Sequence, residues 1–335
     1  MSHTLLDQRK EREVGAPEQI VLHSLQENVG KFVSGTSLAR KVSASRTGVW
    51  NIVQYLIDLG YGIEARTKRG YRLVSARNRL TPPELWGYLP LFFSRSVHCF
   101  NTLTSTHELA RRLALEGAPE GTLVIAEYQS QGKGRSGRVW HAPLGHSLLL
   151  SVLVDFPEGF PLHQLPITLA LASQRATGLS LAWPNDLVVG KKKAGGVLLT
   201  LLSGERSSKV IFSLGLNVWG DPNDYPMGLT GKVETMEHAG LVDGDSRVRP
   251  HLLGKWCNAL LETLSELEDN PKAQLKAWQD ALVGRGEKVR WIEQDGERRE
   301  GLFLGGDEGG KGKVDVDGEI VSLSAVETPL FVRVG

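Results

Sequence analysis

Between Gly132 and Arg138 the chain reads Gly-Lys-Gly-Arg-Ser-Gly-Arg, three glycines alternating with three cations. Glycine lets backbone N–H groups come close to a phosphate or carboxylate, and guanidinium groups grip its oxygens through paired, charge-assisted hydrogen bonds. The composition suits an anion, although a solvated basic turn would look the same. A second cluster follows, Trp183-Pro-Asn-Asp-Leu-Val-Val-Gly-Lys-Lys-Lys-Ala-Gly-Gly-Val. Its pattern predicts a strand ending at Trp183, a Pro-Asn-Asp corner, a short apolar strand, a Gly-Lys turn and a return strand from about Ala194. Lys193 would then open a buried strand beside two glycines that leave room for a ligand. The plain alternative is a hairpin with a solvated, lysine-rich tip.

Several elements must position these residues. A β-branched run, Thr122 to Ala126, leads toward the first cluster, and Ser105 caps a predicted helix with Glu108 at capping-box distance. Ser147 to Phe156 and Lys209 to Val218 read as strands, the second closing on Gly215-Leu-Asn217, where Asn217 serves a ligand or merely a turn. Gln164 to Gly178, Arg249 to Leu267 and Pro271 to Leu282 have helical periodicity. From Gly284 the texture changes to short β segments (Lys288–Glu293, Glu300–Leu304, Lys313–Val316, Glu319–Leu323) parted by Asp-Gly and Gly-Gly turns, as in a small barrel.

The N-terminal part has a different pattern. After a polar leader over 1–16, a helix from Pro17 and a short one from Ser37 to Val42 precede a longer helix capped by Ser45 and stopped at Gly60. Tyr61 to Leu73 reads as a hairpin with Thr67-Lys-Arg-Gly70 at its tip. Two helices across a tight turn followed by a hairpin form a winged helix-turn-helix, which sets its last helix in the major groove. Ser45, Arg46, Thr47, Trp50, Asn51 and Gln54 would face DNA, and Lys68 and Arg69 would meet phosphates. A dimerisation or docking module, with Trp50 packing rather than reading bases, is the alternative. Ser75 to Pro83 reads as a linker.

The whole sequence is 335 residues, 41% hydrophobic and 23% charged, which suits two or three folded domains, each with its own core. Net charge is only +1, yet residues 1–80 hold 13 Lys and Arg against 7 Asp and Glu. A basic end on a mildly acidic body suits a protein that touches nucleic acid with one end only. Two cysteines, Cys99 and Cys257, give neither a disulfide framework nor a metal-site spacing. No run reaches membrane-spanning length and the polar start is no signal peptide, so the expected place is the cytoplasm.

Together the two clusters resemble the bifunctional biotin protein ligase and biotin operon repressor family, whose loop has the form G-R-G-R-x-G-R-x-W-x-S-P and whose second signature is K-W-P-N-D followed by K-x-A-G. Here they stand as Gly132 to Pro143, and as Ala182 to Asp186 with Lys193 to Gly196. The resemblance implies an α+β chain: a winged helix-turn-helix over 17–75, a catalytic domain with a class II synthetase-like mixed sheet over 76–283, and an SH3-like small β-barrel over 284–335.

It implies biotin and ATP as substrates with Mg²⁺, and transfer of biotin through biotinyl-5′-AMP to a lysine of the biotin carboxyl carrier protein of acetyl-CoA carboxylase. Operator DNA is the second partner, with a homodimer in the adenylate-bound state. Lys193, Arg135 and Arg138 would be catalytic. Biotin would be held by Ser105, Thr106, Gln129, Gly132, Lys133, Arg135, Lys193 and Gly196. The adenylate would meet Arg135, Arg138, Trp140, Asn185 and Asn217, with Asp186 beside the metal. Three departures, His107 for Asn, Lys133 for Arg and Ala182 for Lys, favour a rival reading, a biotin-sensing DNA-binding regulator with a decayed ligase site. A shortened passage over 164–178 is a fourth difference, and a lipoate ligase is the enzyme rival.

Overall fold

The computed structural model describes residues 17–75, 80–204, 207–245, 247–293, 296–325 and 330–333. The expected leader and residues 76–79 of the expected linker lie outside these residues. Three helices open the described residues: α1 (Pro17–Gln26), α2 (Gly35–Lys41) and α3 (Arg46–Asp58). The Ser34 and Ser45 hydroxyls cap α2 and α3 by accepting the Ser37 and Gly48 N–H groups, each at 3.0 Å. Val49, Ile52, Val53 and Leu56 repeat at helical spacing, so α3 buries one stripe against Val21, Leu22, Leu25 and Leu38. The ribbon β1 (Gly62–Arg66) and β2 (Gly70–Ser75) closes this core with Tyr61 and Leu73. The winged arrangement follows.

Two four-residue helices, α4 (Pro82–Leu85) and α5 (Leu91–Ser94), lead into the central layer. It contains β3 (Val97–Phe100), α6 (Thr106–Leu115), β4 (Leu123–Ala126), the ribbon β5 (Gly132–Lys133) with β6 (Val139–Trp140), and β7 (Ser147–Pro157). Then come α7 (Leu165–Thr177), β8 (Ser180–Ala182), β9 (Asp186–Val189), β10 (Lys192–Ser203) and β11 (Ser207–Asn217). Seven strands pair in the order β3-β4-β7-β11-β10-β9-β8, parallel only between β3 and β4.

Strand periodicity gives the sheet two different faces. Leu148, Leu150, Val152 and Val154 of β7, with Val210, Phe212, Leu214 and Leu216 of β11, face α7 and α8 (Val248–Asp269) in the main core. Leu153 and Ile211 point the other way, against Ala110 and Ala114 of α6. Ser151 and Ser213, opposite each other across the β7–β11 pair, share that second face.

After α9 (Pro271–Ala281) come β12 (Lys288–Ile292), β13 (Arg298–Gly306), β14 (Gly312–Val316), β15 (Glu319–Leu323) and β16 (Leu330–Arg333) in one antiparallel sheet, ordered β15-β14-β13-β12-β16. The sequence pattern anticipates four of these strands and misses β16. One core for each expected domain is also corrected: Val289, Trp291, Phe303 and Val314 belong to the same apolar cluster as the central sheet. Trp183 joins the two layers, its indole N–H donating to Gly310 O at 3.0 Å. The return strand begins at Lys192 rather than at Ala194, and Lys193 is half exposed at its mouth.

Candidate functional site

A cavity of about 560 Å³ opens beside the first turn of α6. Both sequence clusters reach it: Lys133, Arg135, Arg138 and Trp140 from the glycine-rich ribbon, and Asn185, Asp186, Lys193 and Gly196 from the β9–β10 corner. Ser105, Thr106, Gln129 and Asn217 complete the expected set. Gly132 is not in the wall. It pairs with Trp140 in the ribbon, where a Cβ would stand 2.6 Å from the Trp140 carbonyl oxygen, so only glycine permits the approach. Gly215 does the same from below, since its Cβ would lie 2.7 Å from the indole. Two glycines thus seat Trp140 against the sheet.

The cations form a graded set. Lys193 Nζ meets Asp186 Oδ1 at 2.6 Å and lies 5.5 Å from the Trp140 ring centre. Burial and the neighbouring Arg138 pull the Arg135 guanidinium below its ordinary value, while Asp186 works in the opposite direction. Such a site gains from an entering anion, which relieves the repulsion between guanidinium groups. Lys133 is different, because its Nζ bonds Glu108 Oε1 at 2.9 Å and holds that carboxyl below its ordinary range. Glu108 therefore does not act as the reciprocal cap of α6. It takes Lys133 and Arg111, while Ser105 alone accepts the Glu108 N–H at 3.4 Å.

Asn185 lines the cavity, but its amide donates to Val197 O at 2.7 Å and so holds the corner. Asn217 is buried, donates to Glu234 O at 3.2 Å, and leaves its Oδ1 without a protein donor. Among the described residues no three His, Cys, Asp or Glu groups gather as a metal cage. Asp186 offers a single carboxylate, which fits Mg²⁺ only in its usual form, carried largely by substrate phosphates.

Sequence reading misses two parts of the site. The first is the segment Tyr225–Val233, clipped to the mouth of β10 by Lys193 N–H on Lys232 O at 2.8 Å and Glu234 N–H on Lys193 O at 2.9 Å. Burial pushes the Tyr225 phenol in this segment up to about 12. The second is the pair of hydroxyls that holds His107, which the sequence marks only as a departure: it is buried with one ring nitrogen 2.8 Å from Ser213 Oγ and the other 2.9 Å from Thr200 Oγ1. A serine inside the apolar run of each of two strands, Ser151 after Leu150 and Ser213 after Phe212, was the available signal.

Burial, opposed by Glu108 and aided by Lys133 and Arg111, puts the His107 imidazole below its ordinary value of 6.5. An unfolded chain then takes up this proton before the folded one, so His107's contribution to stability is complete above the ordinary value and is lost as pH falls through the lowered one. Thermal melts between about pH 8 and pH 5 should show falling stability. His107→Asn should flatten that slope, and an identical slope in the variant would exclude His107 as its source.

On the N-terminal unit, Arg46, Thr47, Trp50 and Asn51 lie exposed on one side of α3, with Gln54 partly covered behind them. Trp50 is 52% exposed, so it does not pack into this unit's own core. Ser45 is committed to its cap, and Arg46 Nη2 donates to Thr36 Oγ1 at 3.2 Å across the turn. At the hairpin Lys68 is exposed, while Arg66, Arg69 and Arg72 stack around Phe32 at 5.4, 4.8 and 4.8 Å. The basic face is packed in place rather than loose.

Comparison with known proteins agrees with this geometry. Residues 99–217 match the Biotin/lipoate A/B protein ligase family and residues 18–72 match an HTH domain. The Bifunctional ligase/repressor BirA of Bacillus subtilis (strain 168) is 34% identical over 207 residues, covering 58% of this chain and 63% of that protein. The protein of the same name from Escherichia coli (strain K12) is 28% identical over 200 residues, covering 56% and 60%. The matched part is thus under two thirds of either relative's length. The biotin protein ligase from Aquifex aeolicus, solved with biotin and ATP, superposes with a TM-score of 0.60 at 26% identity, over 72% of this chain and 100% of that one. Most of the cavity wall thus comes from the span that is similar to the Biotin/lipoate A/B protein ligase family, and the N-terminal helices from the span that is similar to an HTH domain.

Proposed function

We propose that this protein is a biotin protein ligase that also represses transcription by binding an operator. The observation that carries the reading is the convergence on one cavity of Lys193, Arg135 and Arg138 with the hydroxyls of Ser105 and Thr106 and the amide of Gln129. Cations suit a carboxylate and a triphosphate; hydroxyls and an amide suit a polar ring. In the first step the biotin carboxylate attacks the α-phosphate of ATP, pyrophosphate leaves, and biotinyl-5′-AMP forms. In the second a carrier lysine amine attacks the mixed anhydride and AMP leaves.

Lys193 sits where its charge offsets that shared by the reacting carboxylate and phosphate, with Asp186 as its resting partner. Arg135 and Arg138 clamp the oxygens around it. Asn217 Oδ1, a buried acceptor lacking a protein donor, suits the exocyclic amine of adenine, and Trp140 supplies the flat surface beside it. Mg²⁺ would arrive with ATP and reach Asp186, where it lowers the charge on the phosphates. A cytoplasmic place and a dimer formed on adenylate binding belong to the same reading.

The test is to incubate the protein with ATP, Mg²⁺ and biotin, or lipoate in parallel, together with a biotin carboxyl carrier domain, and to weigh the carrier. A biotin-sized gain on one lysine is the expected result. A lipoate-sized gain would reassign the substrate. The departures at His107, Lys133 and Ala182 favour the sensor reading. Biotin binding with no gain in carrier mass would establish it.

The DNA role has its own check. Arg46→Ala should weaken binding to a duplex selected from random sequence by the unaltered protein about tenfold in a gel shift. Carrier biotinylation should stay unchanged. Equal operator shifts for the two proteins would remove α3 from the interface.

A further inference from the structure

A line of hydrogen bonds runs beneath the cavity, and its direction is fixed from one end. The Thr106 backbone N–H, which can only donate, reaches Gln129 Oε1 at 2.6 Å and so sets the orientation of that amide. The Thr106 hydroxyl gives its single proton to the same oxygen at 3.1 Å. Ser151 Oγ then donates to Thr106 Oγ1 at 3.0 Å, leaving Ser213 to supply the proton for the 2.7 Å Ser213–Ser151 contact. Ser213 has no proton left for His107. The 2.8 Å contact therefore requires a proton on His107 Nδ1, and Nε2 must accept from the Thr200 hydroxyl at 2.9 Å.

The hydroxyl protons of Ser213, Ser151 and Thr106 thus all point away from His107 and toward Gln129. Thr106 and Ser213 show the cavity oxygen lone pairs only, while Gln129, its carbonyl filled twice over, is left with its NH₂ as a donor. The wall offers acceptors beside a donor. With the proton on Nε2 instead, Ser213 would turn its own proton toward His107. Either one junction of the line or the Thr106–Gln129 bond would then fail.

We propose that His107 is the positioning residue that sets this polarity and thereby selects a ligand head group with N–H donors next to a carbonyl acceptor. On the biotin reading, on which this rests, that head is the cyclic urea. His107 acts through Ser213 and Ser151 and does not touch the reacting carboxylate. Asparagine at this position would keep a donor toward Ser213, whereas leucine removes it.

Two measurements test the assignment. Long-range ¹H–¹⁵N correlation on ¹⁵N-histidine-labelled protein at about pH 8, a pH at which an unperturbed imidazole is neutral, should give His107 a pyrrole-type Nδ1 and a pyridine-type Nε2; the signal is assigned by its loss in His107→Asn. The reverse tautomer overturns the proposal whatever the substrate is. ATP–pyrophosphate exchange should show His107→Leu raising the KM for biotin and for desthiobiotin, which share the urea, about tenfold, the loss of roughly one hydrogen bond. The kcat should change less than about twofold, because only binding has been weakened. His107→Asn should restore most of the KM. An unchanged KM in a folded His107→Leu protein, or equal losses in kcat and KM without rescue by asparagine, overturns it. Absence of any biotin-dependent exchange in the unaltered protein instead defeats the biotin reading and leaves the tautomer to decide the role of His107.

Discussion

Lys193→Ala is expected to reduce biotin-dependent ATP–pyrophosphate exchange by at least about 100-fold, the loss seen when one fixed donor to developing charge is removed from an enclosed site. The stem of Lys193 rises between Gly196, where a Cβ would lie 3.3 Å from its Cε, and the Trp140 ring, so the ammonium is confined before any ligand enters. Its partner Asp186 is a weaker holder than a ligand carboxylate plus phosphate, since both side chains are about one-third exposed at 36% and 32%. Exchange of partners is therefore cheap. The fold should survive, because alanine at 193 keeps the backbone bonds to Lys232 and Glu234. Normal exchange in the variant would move the chemistry to Arg135 and Arg138.

The second large effect concerns stability. Arg249 is fully buried at the start of α8, donating to Glu127 Oε2 at 2.6 Å and to Ser147 O at 3.0 Å, while Glu127 Oε1 accepts the Leu80 N–H at 2.7 Å. Arg249→Met leaves the Glu127 carboxylate buried with one neutral donor, which should cost about 3–5 kcal/mol. Glu127→Gln with Arg249→Met should recover much of this, because the uncompensated charge is gone. The Trp219 ring, 5.1 Å from the guanidinium, is a local fluorescence reporter for urea titrations. A loss below about 1 kcal/mol, the level of an exposed pair, would show that water reaches the pair.

The sequence made some of this architecture legible and hid the rest for physical reasons. Helix caps at Ser45 and Ser105, the Gly60 stop and the alternation in β7 and β11 are local signals, read within a few residues. The cavity was legible because its cations crowd into two short runs. Arg249 and Glu127 stand 122 positions apart, and each looks like an ordinary surface charge until the chain folds. Ser151 and Ser213 meet only through the register of two strands. The contact between Lys133 and Glu108, one turn into α6, spans 25 positions and is likewise set by the fold. The shared core of the C-terminal sheet was hidden too, because apolar spacing within a strand does not reveal what lies across it.

The contacts around Glu84 bear on excision. That carboxylate receives Gln26 at 2.9 Å and Tyr61 at 3.1 Å, and the Tyr61 phenol also meets Thr81 at 2.8 Å, so the N-terminal unit rests on the first residues of the ligase part through a few polar groups. Polar seams of this kind rehydrate easily when opened. The part that carries the cavity could be cut free between Ser75 and Leu80, retaining the Leu80 N–H that closes on Glu127. A cut placed after Leu85 would look equally clean on a sequence map, yet it would discard that donor and loosen the base of the glycine-rich ribbon.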